Sequence, residues 1–463
     1  MDEKRVGLFA EKMKKAGMPA LATEGFLRAL RFVADTGETE IPECSIAPVG
    51  GLDSLDQLCG FEEFGQRAMF RTVVIKLNGG LGTSMGLSKA KSLLEVRPGL
   101  TFLDLIARQV LAQRSRWGSE IPFLVMNSFR TREDSLAALS RYEGLALDLP
   151  LDFLQNKVPR IDAESWEPVE WPEDSELEWC PPGHGDLYVA LKSSGMLERL
   201  LRKGIRYAFI SNADNLGAIL DPRILGWMVQ NRIPFAMEVA ARTDADRKGG
   251  HLAERDGQLI LREVAQCPAD ERNEFEDVSK HPYFNTNNLW VDLQALSDLF
   301  DRHPQGLPLS VICNEKAISP KNDSSPRCYQ LETALGSAIE CFEGARALVV
   351  PRDRFSPVKT TNDLLAVWSD AFELTDDHRL VASHPERYAN CVIDLDVRFF
   401  GCVEALAARF PEGPPSLAKC RRFVVSGDYS FGANVVVKGE VQLLNDAKTP
   451  IHVDAGRVLE AAS

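Results

Sequence analysis

The segment 77–91, LNGGLGTSMGLSKAK, constrains this chain most, because it comes just after the apolar run Val73, Val74 and Ile75. A buried strand that ends in a glycine-dense turn exposes consecutive backbone N–H groups with no Cβ atoms in the way. Such a turn can wrap closely around a chain of phosphates, and Lys91 adds a positive charge at the same place. We therefore predict a phosphate-rich ligand at this turn.

Two common phosphate-binding motifs do not fit the turn. A P-loop requires a lysine directly after its last glycine, whereas a leucine follows Gly86. The dinucleotide pattern G-x-G-x-x-G is met at Gly80 and Gly82, but Gly86 comes one residue late. Asp104 lies near the sequence distance expected of a ribose-binding acid, so a NAD site remains an alternative. A turn that merely reverses the chain is the other alternative. Lys91 favours a triphosphate.

The composition is that of an ordinary globular protein, and its charge balance disfavours broad nucleic-acid binding. Of the 463 residues, 44% are hydrophobic and 26% are charged, and this length predicts two to three domains. The formal charge is −14, whereas nucleic-acid binding requires a basic face. A phosphate site must therefore depend on a few lysines placed locally in an acidic protein.

The sequence favours a cytoplasmic location without membrane attachment. The N-terminal MDEKRVGLFAEKMKK lacks the apolar core of a signal peptide, and no run of about 18 apolar residues occurs. The ten cysteines show no C-x-x-C spacing, which disfavours zinc or an iron–sulfur cluster and favours reduced thiols.

Short apolar runs alternate with helical patterns between about residues 71 and 300. Strands are predicted at 72–77, 123–126, 207–211, 235–239, 259–261 and 289–291. Helices are predicted at 101–113, 132–140 and 187–202. This alternation predicts a mostly parallel α/β sheet covered by helices on both faces. Ligands of such sheets lie outside the carboxyl ends of the strands, where the glycine-rich turn falls.

The two ends of the chain differ from this middle part. Residues 1–45 show helical spacing of apolar side chains. Near the other end, Val425, Phe431, Val437 and Leu443 recur every six residues. A six-residue recurrence predicts a short parallel β-helix, and plain antiparallel strands remain the alternative.

The turn LNGGLGTSMGLSKAK closely resembles the signature of the eukaryotic-type UTP–glucose-1-phosphate uridylyltransferases, or UDP-glucose pyrophosphorylases. Further motifs follow in that family's order and cover roughly residues 70–370. They are MNSF at 126–129, Gln155 with PRI at 159–161, PPGHGD at 181–186, SNADNLG at 211–217, KGG at 248–250, FNTNNLW at 284–290, QLETA at 330–334 and PVKTT at 357–361. Jointly these motifs are very specific.

The resemblance implies an α/β fold with a mixed, mostly parallel, Rossmann-like nucleotidyltransferase (GT-A-like) sheet with helices on both faces. It implies a helical N-terminal segment at residues 1–60 and a catalytic domain at 61–375. The remaining residues, 376–463, would form a C-terminal domain with a short left-handed parallel β-helix.

The resemblance implies Mg²⁺-dependent transfer of UMP from UTP to glucose 1-phosphate, which yields UDP-glucose and pyrophosphate. Lys91 and Lys359 would be the catalytic cations, and Asp214 would bind Mg²⁺ and the nucleotide. For Asp214 a helix N-cap is the alternative, because DNLGAILD could begin a helix.

The other implied site residues divide between the two substrates. UTP would contact Leu77, Asn78, Gly79 and Gly80, with Gln155 and Gly183 at uracil. His184 would face the sugar phosphate, Asn212 would lie near the substrate, and the sugar would contact Asn287, Gly250 and Glu263. The neighbouring Asn285 and Asn288 are either sugar contacts or purely structural.

One departure from the family's pattern and several alternatives stay open. Lys89-Ala90 replaces the Gly-Pro that commonly precedes the family's lysine, which predicts a softer loop. The alternatives are a pyrophosphorylase for N-acetylhexosamine 1-phosphate or for many sugar phosphates, and a non-catalytic regulator that binds UTP or a sugar. Monomer, dimer and a homo-oligomer joined through the C-terminal β-helix are all compatible with the sequence.

Overall fold

The computed structural model describes residues 1–243, 246–320, 322–384 and 391–460. The helices are α1 (Glu3–Lys15), α2 (Ala20–Thr36), α3 (Glu62–Ala68), α4 (Phe102–Trp117), α5 (Arg132–Leu139), α6 (Asp186–Ser193), α7 (Met196–Arg202), α8 (Pro222–Asn231), α9 (Arg272–Phe275), α10 (Leu293–Arg302), α11 (Thr361–Trp368), α12 (Val397–Phe400) and α13 (Val403–Arg409). Within these ranges, no helix combines the length and the apolar character that a membrane crossing requires.

The strands are β1 (Ala47–Pro48), β2 (Asp53–Ser54), β3 (Thr72–Asn78), β4 (Glu95–Arg97), β5 (Leu100–Thr101), β6 (Phe123–Asn127), β7 (Asp152–Leu154), β8 (Val158–Pro159), β9 (Ile161–Asp162), β10 (Trp179–Cys180), β11 (Tyr207–Asn212), β12 (Phe235–Ala241), β13 (His251–Arg255), β14 (Gln258–Arg262), β15 (Tyr283–Asp292), β16 (Val311–Ala317), β17 (Arg327–Thr333), β18 (Arg346–Val349), β19 (Phe372–Leu374), β20 (Leu380–Ala382), β21 (Val392–Leu395), β22 (Ser416–Ser426), β23 (Tyr429–Phe431), β24 (Val436–Leu444), β25 (Ile451–Val453) and β26 (Val458–Glu460).

A central, mostly parallel sheet organises the molecule, which confirms the predicted α/β class. Its strand order is β2-β18-β12-β15-β11-β3-β6-β7, and β15 runs antiparallel to both of its neighbours. The sheet is buried on both faces, since Val74 contacts one hydrophobic core while Val73 and Ile75 contact another. Side chains alternate across a strand, so an unbroken apolar run suits a strand covered on both sides.

The predicted strands and helices exist, but one strand is longer than predicted and one helix is interrupted. The strand predicted at 289–291 is the last part of the longer β15, which begins at Tyr283. The single helix predicted at 187–202 is two helices, α6 and α7, because Gly195 adopts φ +72° between them. A left-handed residue ends a helix, and glycine adopts that conformation without strain.

Asp104, the acid of the alternative NAD site, caps helix α4 instead. Its Oδ2 accepts hydrogen bonds from Thr101 N at 2.9 Å and Thr101 Oγ1 at 2.7 Å. Its Oδ1 accepts from Tyr142 Oη at 2.7 Å. Both oxygens of this carboxylate therefore accept hydrogen bonds within the fold, and neither is available to a ribose.

Parallel strands build the C-terminal part of the chain. Strands β21, β22, β24 and β26 form one parallel sheet, and β23 pairs with β25 in another. Phe423 pairs with Val441 and Val425 with Leu443, so partners are separated by three steps of six residues. The alternative of plain antiparallel strands is therefore wrong, because the six-residue recurrence stacks similar residues on successive parallel strands.

Candidate functional site

Three parallel strands end side by side at one edge of the central sheet. Leu77 of β3 pairs with Asn212 of β11, and Asn78 pairs with Asn127 of β6. The side-chain amide of Asn78 is buried and donates to Asn127 Oδ1 and to Ser135 Oγ, each at 2.8 Å. The Asn78 side chain therefore fixes the base of the loop, which leaves its backbone for a ligand.

The glycine-rich loop after β3 returns to its own starting point. Leu81 and Ala90 form an isolated antiparallel bridge, and Lys91 N donates to Gly80 O at 3.2 Å. Gly79 lies against the side chain of Gln155, since a Cβ atom at residue 79 would overlap Gln155 Oε1. The loop thus brings the predicted site residues Gly79, Gly80 and Lys91 together and places Gly79 against Gln155.

Ala90 occupies the position at which the family's pattern commonly has a proline. Its φ is −53° and its ψ is 131°, a conformation within the range that a proline ring imposes. The bridge uses the amide of Lys91, so the N–H of Ala90 is not needed for it. Ala90 is also fully buried. The backbone therefore has the shape that a proline would give it.

Lys91 and Asp214 meet directly at the middle of this edge. Lys91 Nζ lies 2.6 Å from Asp214 Oδ2, and about a fifth of each side chain is exposed. The other oxygen of Asp214, Oδ1, is buried and has no hydrogen-bond partner among the described residues. Buried polar atoms are rarely left without a partner, so this oxygen has the environment of a metal or ligand contact. Asp214 is not an N-cap, since the next helix, α8, begins at Pro222 and is capped by Asp221.

The segment that carries Lys359 lies on the same loop. Val358 N donates to Asp214 O at 3.4 Å, and Pro357 bridges Asn215. Burial raises the pKa of Glu263, and the positive charge of Lys359 opposes this effect. The Lys359 segment therefore contacts Asp214 through the backbone of Val358, and the charge of Lys359 acts on the predicted sugar contact Glu263, although these segments are far apart in sequence.

Lys76, which lies on β3 one residue before the glycine-rich segment, was not among the predicted site residues. It is buried, and its Nζ donates to Ser211 Oγ at 2.7 Å and to Ala218 O at 2.9 Å. Burial, together with the charge of Arg354, lowers the pKa of Lys76 to about 7. Lys76 supports the loop that carries Asp214 from below. A lysine inside the apolar run 73–77 was the available sequence signal.

The PPGHGD loop is held by the QLETA motif at the other side of the site. Gly183 adopts φ +81° and packs so closely on Thr333 that a Cβ atom would overlap its carbonyl. His184 Nδ1 accepts a hydrogen bond from Leu335 N at 2.6 Å, and burial lowers the pKa of His184 to about 4. The ring is therefore neutral at pH 7, and its Nε2–H remains a donor.

The predicted sugar contacts come together where β13 begins, where β14 ends and on β15. A Cβ atom at Gly250 would lie 2.5 Å from Glu263 Oε2, so these two residues are in contact. Asn287 adopts φ +58° where β15 shifts register against β12. Its amide oxygen accepts from Asn285 Nδ2 at 2.9 Å, and its backbone N donates to Asn285 Oδ1 at 2.8 Å. Asn285 thus holds Asn287 in a left-handed conformation.

Asn288 is structural, which settles one of the two alternatives for this residue. It is fully buried and donates to Glu238 Oε2 and to Arg354 O, each at 3.1 Å. Arg354 is in turn paired with Glu238, which also accepts from Trp290 Nε1 at 2.9 Å. This buried network was not predicted. A glutamate within the apolar strand FAMEVAA was its signal in the sequence.

The site as a whole crosses five neighbouring strands. In sheet order, Asn287 lies on β15, Asn212 ends β11, Leu77 lies on β3, and Gln155 follows β7 beyond β6. Four spacings between strands correspond to about 19 Å, which is long enough for a nucleotide and a sugar side by side. Lys91 and Asp214 lie near the middle of this span.

Comparisons with known proteins show which family the chain resembles. The family model described as UTP–glucose-1-phosphate uridylyltransferase matches residues 25–438. The enzyme of that name from Hordeum vulgare is 40% identical over 429 residues, which are 92% of this chain and 86% of the barley protein. The one from Saccharomyces cerevisiae is 40% identical over 392 residues, 84% of this chain and 77% of the yeast protein.

Solved structures show the same likeness over the whole chain. A mutant UDP-glucose pyrophosphorylase from Leishmania major, in complex with UDP-glucose, is 41% identical and superposes with a TM-score of 0.93. That match covers 100% of this chain and 99% of the Leishmania chain. The UDP-glucose phosphorylase from Trypanosoma brucei is 41% identical with a TM-score of 0.91, and 99% of each chain is covered. This chain belongs to the UTP–glucose-1-phosphate uridylyltransferase family.

Proposed function

We propose that this protein catalyses the reversible, Mg²⁺-dependent transfer of UMP from UTP to glucose 1-phosphate, which yields UDP-glucose and pyrophosphate. Membership of the family supports the reaction, as does the related Leishmania enzyme that was solved with UDP-glucose. The observation that carries the proposal is the ion pair of Lys91 with Asp214. The segment of Lys359 contacts the same Asp214 through the backbone of Val358.

The reaction requires that the protein neutralise the charge of the two substrates and align them. A phosphate oxygen of glucose 1-phosphate attacks the α-phosphorus of UTP in line. That bond forms while the bond from the α-phosphorus to the bridging oxygen breaks, and pyrophosphate leaves with the electron pair. Two anions must approach each other, so preorganised positive charge supplies most of the catalysis.

Lys91 and Lys359 provide this charge from two directions. Lys91 lies along the phosphates of UTP and stabilises the departing pyrophosphate. Lys359 lies between Asp214 and the sugar end, where it reduces the repulsion between the sugar phosphate and the α-phosphate. When one substrate binds, Lys91 can exchange its contact with Asp214 for a phosphate oxygen.

Asp214 is the residue that would hold Mg²⁺, with the phosphates of the substrate. Its unpartnered buried Oδ1 supports this role, since Mg²⁺ is usually bound by one or two carboxylates plus substrate oxygens. Bound there, Mg²⁺ would neutralise charge on the phosphates.

The remaining residues bind and orient the two substrates. The backbone of Leu77, Asn78, Gly79 and Gly80 surrounds the nucleotide. Gln155 and Gly183 contact uracil, because the Gln155 amide offers both a donor and an acceptor. His184, neutral with a free Nε2–H, donates towards the sugar phosphate, and Asn212 lies near the substrate. The sugar hydroxyls contact a last group: Gly250, Glu263 and Asn287.

The C-terminal parallel strands form a short left-handed β-helix in this proposal. The proposal keeps the division into a helical N-terminal segment at 1–60, a catalytic domain at 61–375 and a C-terminal domain at 376–463. Copies of the chain would associate through the β-helix if the protein is a homo-oligomer. All ten cysteines lie in the described part of the chain and are free thiols, which supports a cytoplasmic location.

The direct test is pyrophosphate release from UTP and glucose 1-phosphate, measured with Mg²⁺ and with excess chelator. We expect turnover with Mg²⁺ and none with the chelator. The reverse reaction, run with UDP-glucose and UDP-N-acetylglucosamine, tests the sugar. Equal rates would remove the assignment to glucose, and nucleotide binding without any turnover would favour a regulator.

A further inference from the structure

An acidic residue outside all of the site motifs, Glu43, links the N-terminal segment to the predicted sugar end. Its side chain is buried, and its Oε2 lies 2.5 Å from Arg262 Nη1. Its Oε1 accepts from His281 Nε2 and from Lys280 Nζ, each at 2.8 Å. The other terminal nitrogen of Arg262, Nη2, pairs with Glu271 Oε2 at 2.7 Å. One carboxylate thus joins three cationic or ring groups from two distant segments.

Arg262 is directly connected to both predicted sugar contacts through the backbone. It is the last residue of β14 and precedes Glu263, and it pairs across the ladder with His251 of β13. His251 follows Gly250, which is in contact with the carboxylate of Glu263. A shift of Arg262 would therefore move Glu263 relative to Gly250.

The histidines provide a second connection to the same place. The rings of His251 and His281 are stacked, with 3.9 Å between centroids and 19° between planes. Both rings are fully buried. Burial lowers the pKa of each, so two neutral rings stack without repulsion. Glu43 holds His281, and His281 in turn supports His251 beside Gly250.

The backbone around Glu43 follows the same strands. Ala47 and Pro48 of β1 pair with Glu254 and Ala253 of β13. Ile41 N donates to Gln266 O at 2.6 Å, in the turn that follows Glu263. The N-terminal segment is therefore a fixed support for β13 and β14.

We propose that Glu43 is a positioning residue for the sugar end of the site, which sets the affinity for glucose 1-phosphate by fixing Glu263 against Gly250. Glu43 acts through Arg262 and His281 and touches neither substrate. The inference rests on the proposed function, because it takes Gly250 and Glu263 as contacts of the sugar.

The negative charge of Glu43 is the property on which this role depends. Burial opposes ionisation, but hydrogen bonds from Lys280 and His281 outweigh it and lower the pKa of Glu43 to about 2. A glutamine has the same shape and one acceptor fewer, and it carries no charge to balance the buried Arg262. Glu43→Gln therefore loosens Arg262 without changing the packing volume.

The experiment compares the two Michaelis constants of Glu43→Gln with those of the wild type. We expect KM for glucose 1-phosphate to rise about tenfold, because small displacements of a binding residue cost affinity for the group it contacts. KM for UTP should stay within about twofold, since the nucleotide end has its own supports. A merely structural role would not separate the two constants.

Glu178→Gln is the matched control. Glu178 pairs with Lys12 of the N-terminal helix α1 at 2.5 Å, so the change also removes an ion pair that holds the N-terminal segment. Both KM values should be unchanged in this variant. If Glu43→Gln does not fold, Glu271→Gln replaces it, because it removes the other partner of Arg262, and a smaller rise in the same constant is expected.

Unchanged KM for glucose 1-phosphate in a folded variant, or an equal rise of both constants, would overturn the role of Glu43. Wild-type protein that forms no UDP-glucose would instead contradict the proposed function. The two failures are therefore distinguishable in one set of assays.

Discussion

The proposed nucleotide end and the proposed sugar end of the site are built in different ways. At the nucleotide end, one continuous segment supplies the glycines and Lys91, and its ends are joined by the hydrogen bond from Lys91 N to Gly80 O. At the sugar end, three strands and a residue from the N-terminal segment meet, and Glu43 and Arg262 are 219 residues apart. The first end is local in sequence, whereas the second depends on how distant strands pair.

This difference shows where side-chain changes should act. A change in the glycine-rich loop, Lys91 included, alters groups that we propose to contact the phosphates directly. A change at the sugar end alters supports whose effect reaches the substrate through the backbone. The expected effects are therefore largest at the phosphates and smaller towards either end.

The largest effect is expected for Asp214→Asn, which removes the charge that pairs with Lys91 and that would hold Mg²⁺. Turnover should fall about 10²- to 10³-fold, because preorganised charge at the reacting phosphates is a dominant catalytic contribution. Steady-state pyrophosphate release measures it. The control is Asp148→Asn, which removes an exposed aspartate that pairs with Lys203 at 2.7 Å. Equal activity of the two variants would contradict the role of Asp214.

A pair of glycine substitutions separates the two ends. In Gly79→Ala the new Cβ overlaps Gln155, and in Gly250→Ala it overlaps Glu263. We expect about tenfold higher KM for UTP in the first variant and for glucose 1-phosphate in the second. Gly50→Ala, with nothing within 4 Å of a Cβ, should change neither constant. Both variants raising the same constant would show that the two ends are not separate.

The pH dependence of stability tests the neutral state of His184. Its pKa is lowered from 6.5 to about 4, so the unfolded chain binds its proton first as the pH falls. This contribution is present above pH 6.5 and is lost as the pH falls towards 4. Between pH 7 and pH 5 the wild type should lose about 2 kcal/mol more unfolding free energy than His184→Gln. Parallel curves from denaturant unfolding would contradict the assignment.

The smallest effect is expected for Ala90→Pro in the loop. Ala90 already has a φ compatible with proline, and the loop bridge does not use its N–H. The variant should be more stable by about 0.5 kcal/mol, because proline restricts the unfolded chain. The urea midpoint measures this change. A lower midpoint would mean that the buried ring does not fit.

Features that depend on residues close together in the chain could be predicted from the sequence. An apolar run that ends in glycines predicted β3 and its loop, and alternation of runs and helical patterns predicted the α/β class. Helix α6 was predicted to continue through Gly195, because a glycine inside a helical pattern can be tolerated. Only its left-handed conformation shows that the helix ends there.

Contacts that depend on strand register could not be predicted. The charges at Glu43, Arg262 and Glu271 are visible in the sequence, but nothing local indicates that they meet. The same holds for Glu238 and Arg354, whose pairing requires β12 to lie beside the loop after β18. The pairing of Asn285 with Asn287 depends on a bulge in β15, which no residue type specifies on its own.

The most direct test of the account is the turnover of Lys91→Ala and Lys359→Ala, measured beside Lys89→Ala, an exposed lysine of the same loop. We expect the first two variants to stay folded and each to lose most of their UDP-glucose formation, whereas Lys89→Ala keeps it. Wild-type turnover in Lys91→Ala and Lys359→Ala would contradict the claim that these lysines and Asp214 act together on one pair of phosphates.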